Sequence, residues 1–417
     1  MTAPSLPLLP RVYWLTSEFF PPQMGGTGII TGRLADGLAE RGCDVQVVTR
    51  QTEPPSPAWE TIRKVRVRRL LPAGLMKGVG WRAIPAMTSF LARLARLLIT
   101  ARTRYDLVFI SGMKTIPLIA VPLCRLLGRK CAIRIESPFE IAEPISAESL
   151  ATMGSLFGRL VSQLFMRAQR LALRRADKVI AISEEIAMRL RGLGCPEADI
   201  VRIPNAIDLM TFAPVPPQER QLLRERLGFP EGMTIVLFVG RLSRAKGVMM
   251  LMHALPALLA RHPNLYLVLV GGGRESWDDC EDEVVAFIRA QQLHDHTALT
   301  GPSAQVQQFL QAADLFVSPS DYEGFGLTVV EALACALPVV ATRVGVAGEV
   351  IEHDINGFLC PPRDPDAFSA TIELALRERQ RWPQIGSLAR RSAARFDVPR
   401  VIDQYVSLCR ELHGSGA

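Results

Sequence analysis

Residues 11–50 read RVYWLTSEFFPPQMGGTGIITGRLADGLAERGCDVQVVTR. A short β-branched and aromatic run opens the stretch, the close-set glycines Gly25, Gly26 and Gly28 follow, then a helical pattern, then a second apolar run. Strand, glycine turn, helix, strand is the βαβ unit of a parallel sheet. The alternation continues through DLVFIS, KCAIRI and DKVIAIS. It begins again after residue 210 with TIVLFVGRL, a helix over 247–261, NLYLVLVGGG, another helix, TALTG, a helix over 304–312 and DLFVSPS. The proline-rich APVPPQ (213–218) separates the two series, and proline is poor inside helices and central strands.

Two Rossmann-like, doubly wound α/β domains facing across a cleft are therefore expected, over residues 1–210 and 211–385. Residues 386–417 read as C-terminal helices, with packing back toward the first domain one option for them. Ligands of open α/β sheets bind outside the carboxyl ends of the strands, so loops at those ends are the place to look for chemistry.

Composition agrees. The chain's 417 residues exceed what one core serves, and 48% hydrophobic with 21% charged residues describes a folded chain and excludes a disordered one. Forty-eight Lys+Arg against forty-one Asp+Glu leave a formal charge of +7, which favours anionic partners without choosing among nucleotides, lipid headgroups and nucleic acid. The eight cysteines are scattered, with no CxxC and no zinc-finger histidine spacing, so neither a metal site nor a disulfide scaffold is expected and a reducing cytoplasm fits. No signal peptide is read in MTAPSLPLLPRVYWLTSEFF, and no apolar run reaches the roughly 18 residues of a membrane span.

Three segments carry chemistry. The glycines of PPQMGGTG let backbone approach a ligand at a helix start, although a plain strand-to-helix turn explains them equally. In FVGRLSRAKGV (238–248), Arg241, Arg244 and Lys246 follow a strand; they are cations for a diphosphate or a solvated basic turn. In SPSDYEGFGLTVVEALACALPVVAT (318–342), Glu323 lies in a loop and Glu331 inside the helix after it, a helix read as running up to Pro338. Gly324 and Gly326 leave amides accessible at that helix N-terminus. Amides suit phosphate oxygens, and an ionised carboxylate accepts two hydroxyls of a vicinal diol. The blander alternative, a loop carboxylate and a rim carboxylate, accounts for the charges but not for the paired glycines.

These residues resemble the retaining GT-B glycosyltransferases of family 4. EGFGLTVVE is similar to the family's glutamate-x7-glutamate signature and GRLSRAKGV to its phosphate-binding stretch; ADKVIAIS, RIPNAID and INGFLCPPRDPDAF fall in family order. The resemblance implies a sugar transferase in which Glu331 holds the ribose of a nucleotide-sugar and Arg241 with Lys246 its diphosphate. Glu323 with the amides of Gly324, Phe325, Gly326, Leu327 and Thr328 would contact the transferred sugar and phosphate, and Gly25 with Gly26 would close over the donor. Glu323, Arg241 and Lys246 are the expected catalytic set. It further implies a nucleotide-diphosphate sugar as co-substrate with no metal or other cofactor, no nucleic-acid partner, and a glycan or lipid-linked acceptor. Many members carry a first-domain histidine near the sugar, whereas this chain reads CAIRIESPFEIAEPIS, with no histidine before His253. Glu136 and Glu140 are the acceptor-side candidates there. A nucleotide-sugar hydrolase or epimerase, and a non-enzymatic polyanion binder, are the competing classes.

Three basic segments stay open: RKVRVRRLL (63–71), WRAIPAMTSFLARLARLLITARTR (81–104) and LFMRAQRLALRRADK (164–178). Each combines arginine with apolar residues, which suits either a buried helical stripe or an anionic lipid surface at the cytoplasmic face of a membrane. GGGRESWDD (271–279) and HDH (294–296) read as turns, and Asn205 and Asp208 as turn residues at the crossover.

Overall fold

The computed structural model describes residues 9–17, 26–50, 56–70, 84–112, 115–137, 155–273 and 278–414. Two compact units emerge: Met1–Ala206 with Val398–Ala417, and Ile207–Asp397.

The first unit is built on eight strands: β1 (Arg11–Leu15), β2 (Asp44–Thr49), β3 (Trp59–Ile62), β4 (Val65–Arg69), β5 (Leu107–Ser111), β6 (Lys130–Ile135), β7 (Lys178–Ala181) and β8 (Ile200–Arg202). They lie in the order β3-β4-β2-β1-β5-β6-β7-β8, parallel except for the antiparallel β3–β4 hairpin. The continuous apolar runs fill the middle, as strands covered on both faces require; β5 is buried at every position. Arg11 pins β1 to the turn before β5 through Asp106 at 2.7 Å, and that ion pair holds the Asp106 carboxyl down at about 2.

RKVRVRRLL does not form a helix. Its Val-Arg alternation has period two and forms strand β4, between β2 and the edge strand β3, with Val65 and Val67 buried. Its arginines are spent locally: Arg66 on Asp44 at 2.6 Å, Arg68 over the Trp59 ring at 4.6 Å, and the buried Arg69 on Glu60.

The C-terminal residues do not form one block. The helix Val398–Gly414 belongs to the first unit, where Tyr405 is fully buried with its ring 5.8 Å from Trp14 and 5.7 Å from Phe109. Gly37 lets the helix Gly26–Glu40 meet it, since a Cβ there would fall 2.5 Å from Ile402. The helix Trp382–Ala393 stays with the second unit: a Cβ at Gly386 would fall 2.1 Å from the Ala336 carbonyl, so only glycine permits the approach. The division therefore falls at 206/207 and 397/398 where 210/211 and 385/386 were expected, because buried contacts, and not the proline-rich linker, decide it.

The second unit holds six parallel strands: β9 (Thr234–Val239), β10 (Leu265–Val270), β11 (Thr297–Gly301), β12 (Leu315–Ser318), β13 (Val339–Thr342) and β14 (Phe358–Cys360). Their order is β11-β10-β9-β12-β13-β14. The chain winds outward from β9 to one edge, then returns to its other side at β12, which makes the gap between β9 and β12 the topological switch point. Val236, Leu267, Val317 and Phe358 join helix residues Val248, Leu251, Val284 and Ile372 in one core.

Candidate functional site

Two loops converge at that switch point. After β9 the chain makes a single 3-10 turn over Arg244–Lys246, then Gly247, then the helix Val248–Arg261. Gly247 is left-handed (φ 67°), and a Cβ on it would lie 1.9 Å from the Pro319 carbonyl oxygen, so glycine is what lets the turn seat against the loop that follows β12. The Asp321 N–H donates to the Ala245 carbonyl at 2.9 Å and locks the two together.

Lys246 Nζ donates to Glu323 Oε1 at 2.6 Å, and Ser320 Oγ donates to the same oxygen at 2.9 Å. Lys246 keeps 24% of its side chain exposed and Glu323 12%, so the pair sits at the rim of the sheet and not in its core. Ser320 is buried, and its carbonyl accepts from Thr342 Oγ1 at 2.5 Å at the end of β13. From the far side Val346 N–H donates to the Phe325 carbonyl at 2.7 Å, and a Cβ on the neighbouring Gly345 would stand 2.8 Å from Glu323 Cβ. Phe325 is buried edge-on against Phe396 at 5.6 Å. The loop carboxylate is thus held in one position by a lysine, a serine and the backbone on both flanks.

Gly326 then adopts φ 94° and starts the helix Leu327–Ala334. The N–H groups of that first turn have no intrahelical acceptors, and the helix dipole adds positive potential, so an anion is favoured beside Gly326, Leu327 and Thr328. Glu331 is half-buried within the helix. One turn on, burial foremost and the Glu331 charge second push the Cys335 thiol up to about 12, which keeps it neutral. The helix ends at Ala334 and not at Pro338: Ala336 takes φ 59°, and Leu337 N–H closes back on the Ala332 carbonyl at 3.1 Å in a Schellman turn. Arg390 donates to the Ala334 carbonyl there.

Arg241 extends from the same β9 loop, more than half exposed and 4.0 Å from Asp278, whose Oδ2 accepts from the Ala245 N–H at 3.0 Å. Asp278 thereby supports the basic turn from below. The GGG segment is a close-packing device: Gly271 has φ 141°, and a Cβ there would collide with the Gly240 carbonyl. Of the sequence candidates, the second unit brings Lys246, Glu323 and the Gly324–Thr328 segment together, with Arg241 on the same loop as Lys246. Gly25 and Glu140 lie outside the described residues, while Gly26 begins the helix after β1. Glu136 is paired with Arg134, a side chain only 2% exposed, which also donates to Asn205. Sequence reading missed Ser320, Thr342, Gly247 and Gly345. Ser320 alone carried a signal, standing three residues before Glu323. Among the described residues no three His, Cys, Asp or Glu side chains assemble as a metal site.

Known proteins share this organisation. Residues 25–206 match the family described as "Glycosyl transferase 4-like domain", and residues 219–392 match "Glycosyl transferases group 1". The D-inositol 3-phosphate glycosyltransferase of Kineococcus radiotolerans is 30% identical over 397 residues, covering 89% of this chain and 87% of that protein. Among solved structures, sucrose-phosphate synthase from Thermosynechococcus elongatus aligns with a TM-score of 0.79 at 24% identity, over 97% of this chain and 100% of that one. HepE of Anabaena, in complex with UDP, aligns with a TM-score of 0.74 at 22% identity, over 96% and 100%.

Proposed function

The chain belongs to the family 4, group 1 glycosyltransferases with the GT-B fold, and on that premise we propose that it moves a sugar from a nucleotide-diphosphate sugar to a hydroxyl acceptor with retention of anomeric configuration. That it is a transferase enzyme follows from the family; donor, acceptor and stereochemistry are the proposal. The observation that carries it is the Lys246–Glu323 pair at the switch point beside a glycine-started helix N-terminus. HepE, which shares the fold, was solved with UDP, and this supports a nucleoside diphosphate as the donor's leaving half.

In this reading the entering diphosphate takes over the Lys246 ammonium from Glu323, Arg241 adds a second cation, and the amides of Gly326 to Thr328 meet phosphate oxygens. Glu323, released from Lys246 but still held by Ser320, accepts from sugar hydroxyls, and Glu331 accepts from the ribose diol. The bond from the sugar C1 to the diphosphate oxygen breaks with its electrons going to the diphosphate. The acceptor oxygen bonds to C1 on the same face and its proton leaves with the diphosphate. Positioning and charge stabilisation supply the rate. The acceptor is proposed as a hydroxyl of a glycan or lipid-linked intermediate; the name of the Kineococcus relative adds a phosphorylated polyol to the compounds to try.

A thermal-shift panel of nucleotide-sugars, followed by nucleotide release with and without acceptors, tests the reading. One donor raising the melting temperature, with release accelerated by acceptor, is expected. Silence across the panel, or release at full rate in water alone, would overturn it; the second outcome would make the protein a hydrolase.

A further inference from the structure

The helices Ile84–Thr100, Ile116–Leu126 and Ser155–Arg175 pack side by side in the first unit. They contain two, one and five arginines respectively, and no lysine, aspartate or glutamate. Surface helices of globular proteins ordinarily mix both signs of charge and turn leucine inward. Here leucine also faces out. Of thirteen exposed large hydrophobic side chains in the described residues, five fall on these three helices: Ile99, Leu126, Leu160, Leu164 and Leu171. That concentration marks a patch and not scattered exposure.

The longest helix shows the pattern most clearly. Leu160, Leu164, Arg167, Leu171 and Arg174 are all exposed and fall within about 80° of arc at 3.6 residues per turn. Gln169, Ala172 and Leu173 are buried on the opposite side. Arg125 Nη1 donates to the Arg175 carbonyl at 3.1 Å, which joins the ends of the second and third helices into one continuous surface.

We propose that this three-helix face docks on an anionic lipid bilayer, its leucines entering the boundary between headgroups and acyl chains and its arginines meeting lipid phosphates. Arginine suits the task because its stem lies along apolar surface while the guanidinium fork reaches a phosphate. A nucleic acid would satisfy the arginines but leave the leucines in water. A second copy of the chain would set the same unbroken positive charge against itself across a two-fold axis. No helix among the described residues is long and apolar enough to cross a membrane, so the attachment is peripheral and sensitive to salt.

Flotation of the full chain with phosphatidylglycerol-rich vesicles and with pure phosphatidylcholine vesicles tests this. Binding to the first only, weakening as salt rises, is expected. Each arginine near such a surface is worth about fivefold, so combining Arg167→Gln, Arg170→Gln and Arg174→Gln should lower partitioning about a hundredfold. Combining Leu160→Ser, Leu164→Ser and Leu171→Ser should lower it at least about tenfold even at low salt. Because all six side chains are exposed, both variants should melt with the wild type. Binding to phosphatidylcholine as strong as to phosphatidylglycerol would overturn the proposal, as would an arginine variant that floats like wild type. A leucine variant that keeps full binding would reassign the face to soluble polyanions. A lipid-free dimer in sedimentation velocity, dissolved by the leucine variant, would reassign it to self-association. Vesicle binding reads no catalysis, so its outcome is independent of the sugar-transfer reading.

Discussion

Glu323 follows β12 in the second unit and Glu136 follows β6 in the first, and each meets a basic side chain just past the end of a parallel strand. The cations differ. Arg134 is 2% exposed and is shared between Glu136 and the buried Asn205, close to Tyr405, whose hydroxyl burial raises to about 12. Lys246 comes from a glycine-ended turn and keeps a quarter of its side chain exposed. Position differs as well: Glu323 and Lys246 flank the β9–β12 switch point, whereas β6 stands one strand beyond the β1–β5 switch of its own sheet. A buried cation divided between protein acceptors is spent on the fold. A reachable one, held by a carboxylate that a ligand can displace, is available for binding.

Four substitutions can break or sharpen that contrast. The largest effect belongs to Lys246→Ala, which removes the cation proposed to face the departing diphosphate. We expect kcat/KM for sugar transfer to fall about a thousandfold, about 4 kcal/mol, with little change in Tm. Glu136→Gln should act the other way, leaving the buried Arg134 charge uncompensated at a cost of about 3 kcal/mol and lowering Tm by about 6–12 °C in calorimetry. Retained Tm with a collapsed kcat would instead place Glu136 in the chemistry. Gly247→Ala forces a Cβ onto the Pro319 carbonyl at positive φ; displacement of the lysine turn should raise the donor KM about thirtyfold, about 2 kcal/mol. Smallest is Ser320→Ala, which deletes one hydrogen bond to Glu323; about a fivefold fall in kcat/KM is expected, checked in the same assay.

The legible parts were those whose signal is local. Runs such as TIVLFV and DLFVS announce buried parallel strands, and Glu323, Gly326 and Glu331 lie within nine residues, so their grouping needs no knowledge of the fold. In VRVRR (65–69) the strand signal is the period-two alternation, which charge and apolar content alone do not reveal. For the helix after Gly326, a stop by Pro338 is visible in the sequence, whereas Ala336 in a left-handed turn, where glycine is usual, is not. Other features are long-range. Thr342 supports Ser320 from twenty-two residues away, and Gly247 matters only because Pro319 passes over it. Return of the helix Val398–Gly414 to the first unit rests on Tyr405 finding Trp14, a contact no window of sequence contains.

The central claim is that Lys246 and Glu323 form a nucleoside diphosphate site, and isothermal titration calorimetry of wild type and Lys246→Met against uridine, adenosine and guanosine diphosphates tests it most directly. The account predicts that one of these binds the wild type and that Lys246→Met weakens it at least about thirtyfold, about 2 kcal/mol. Equal affinity in the two proteins, or no binding by the wild type, would contradict it.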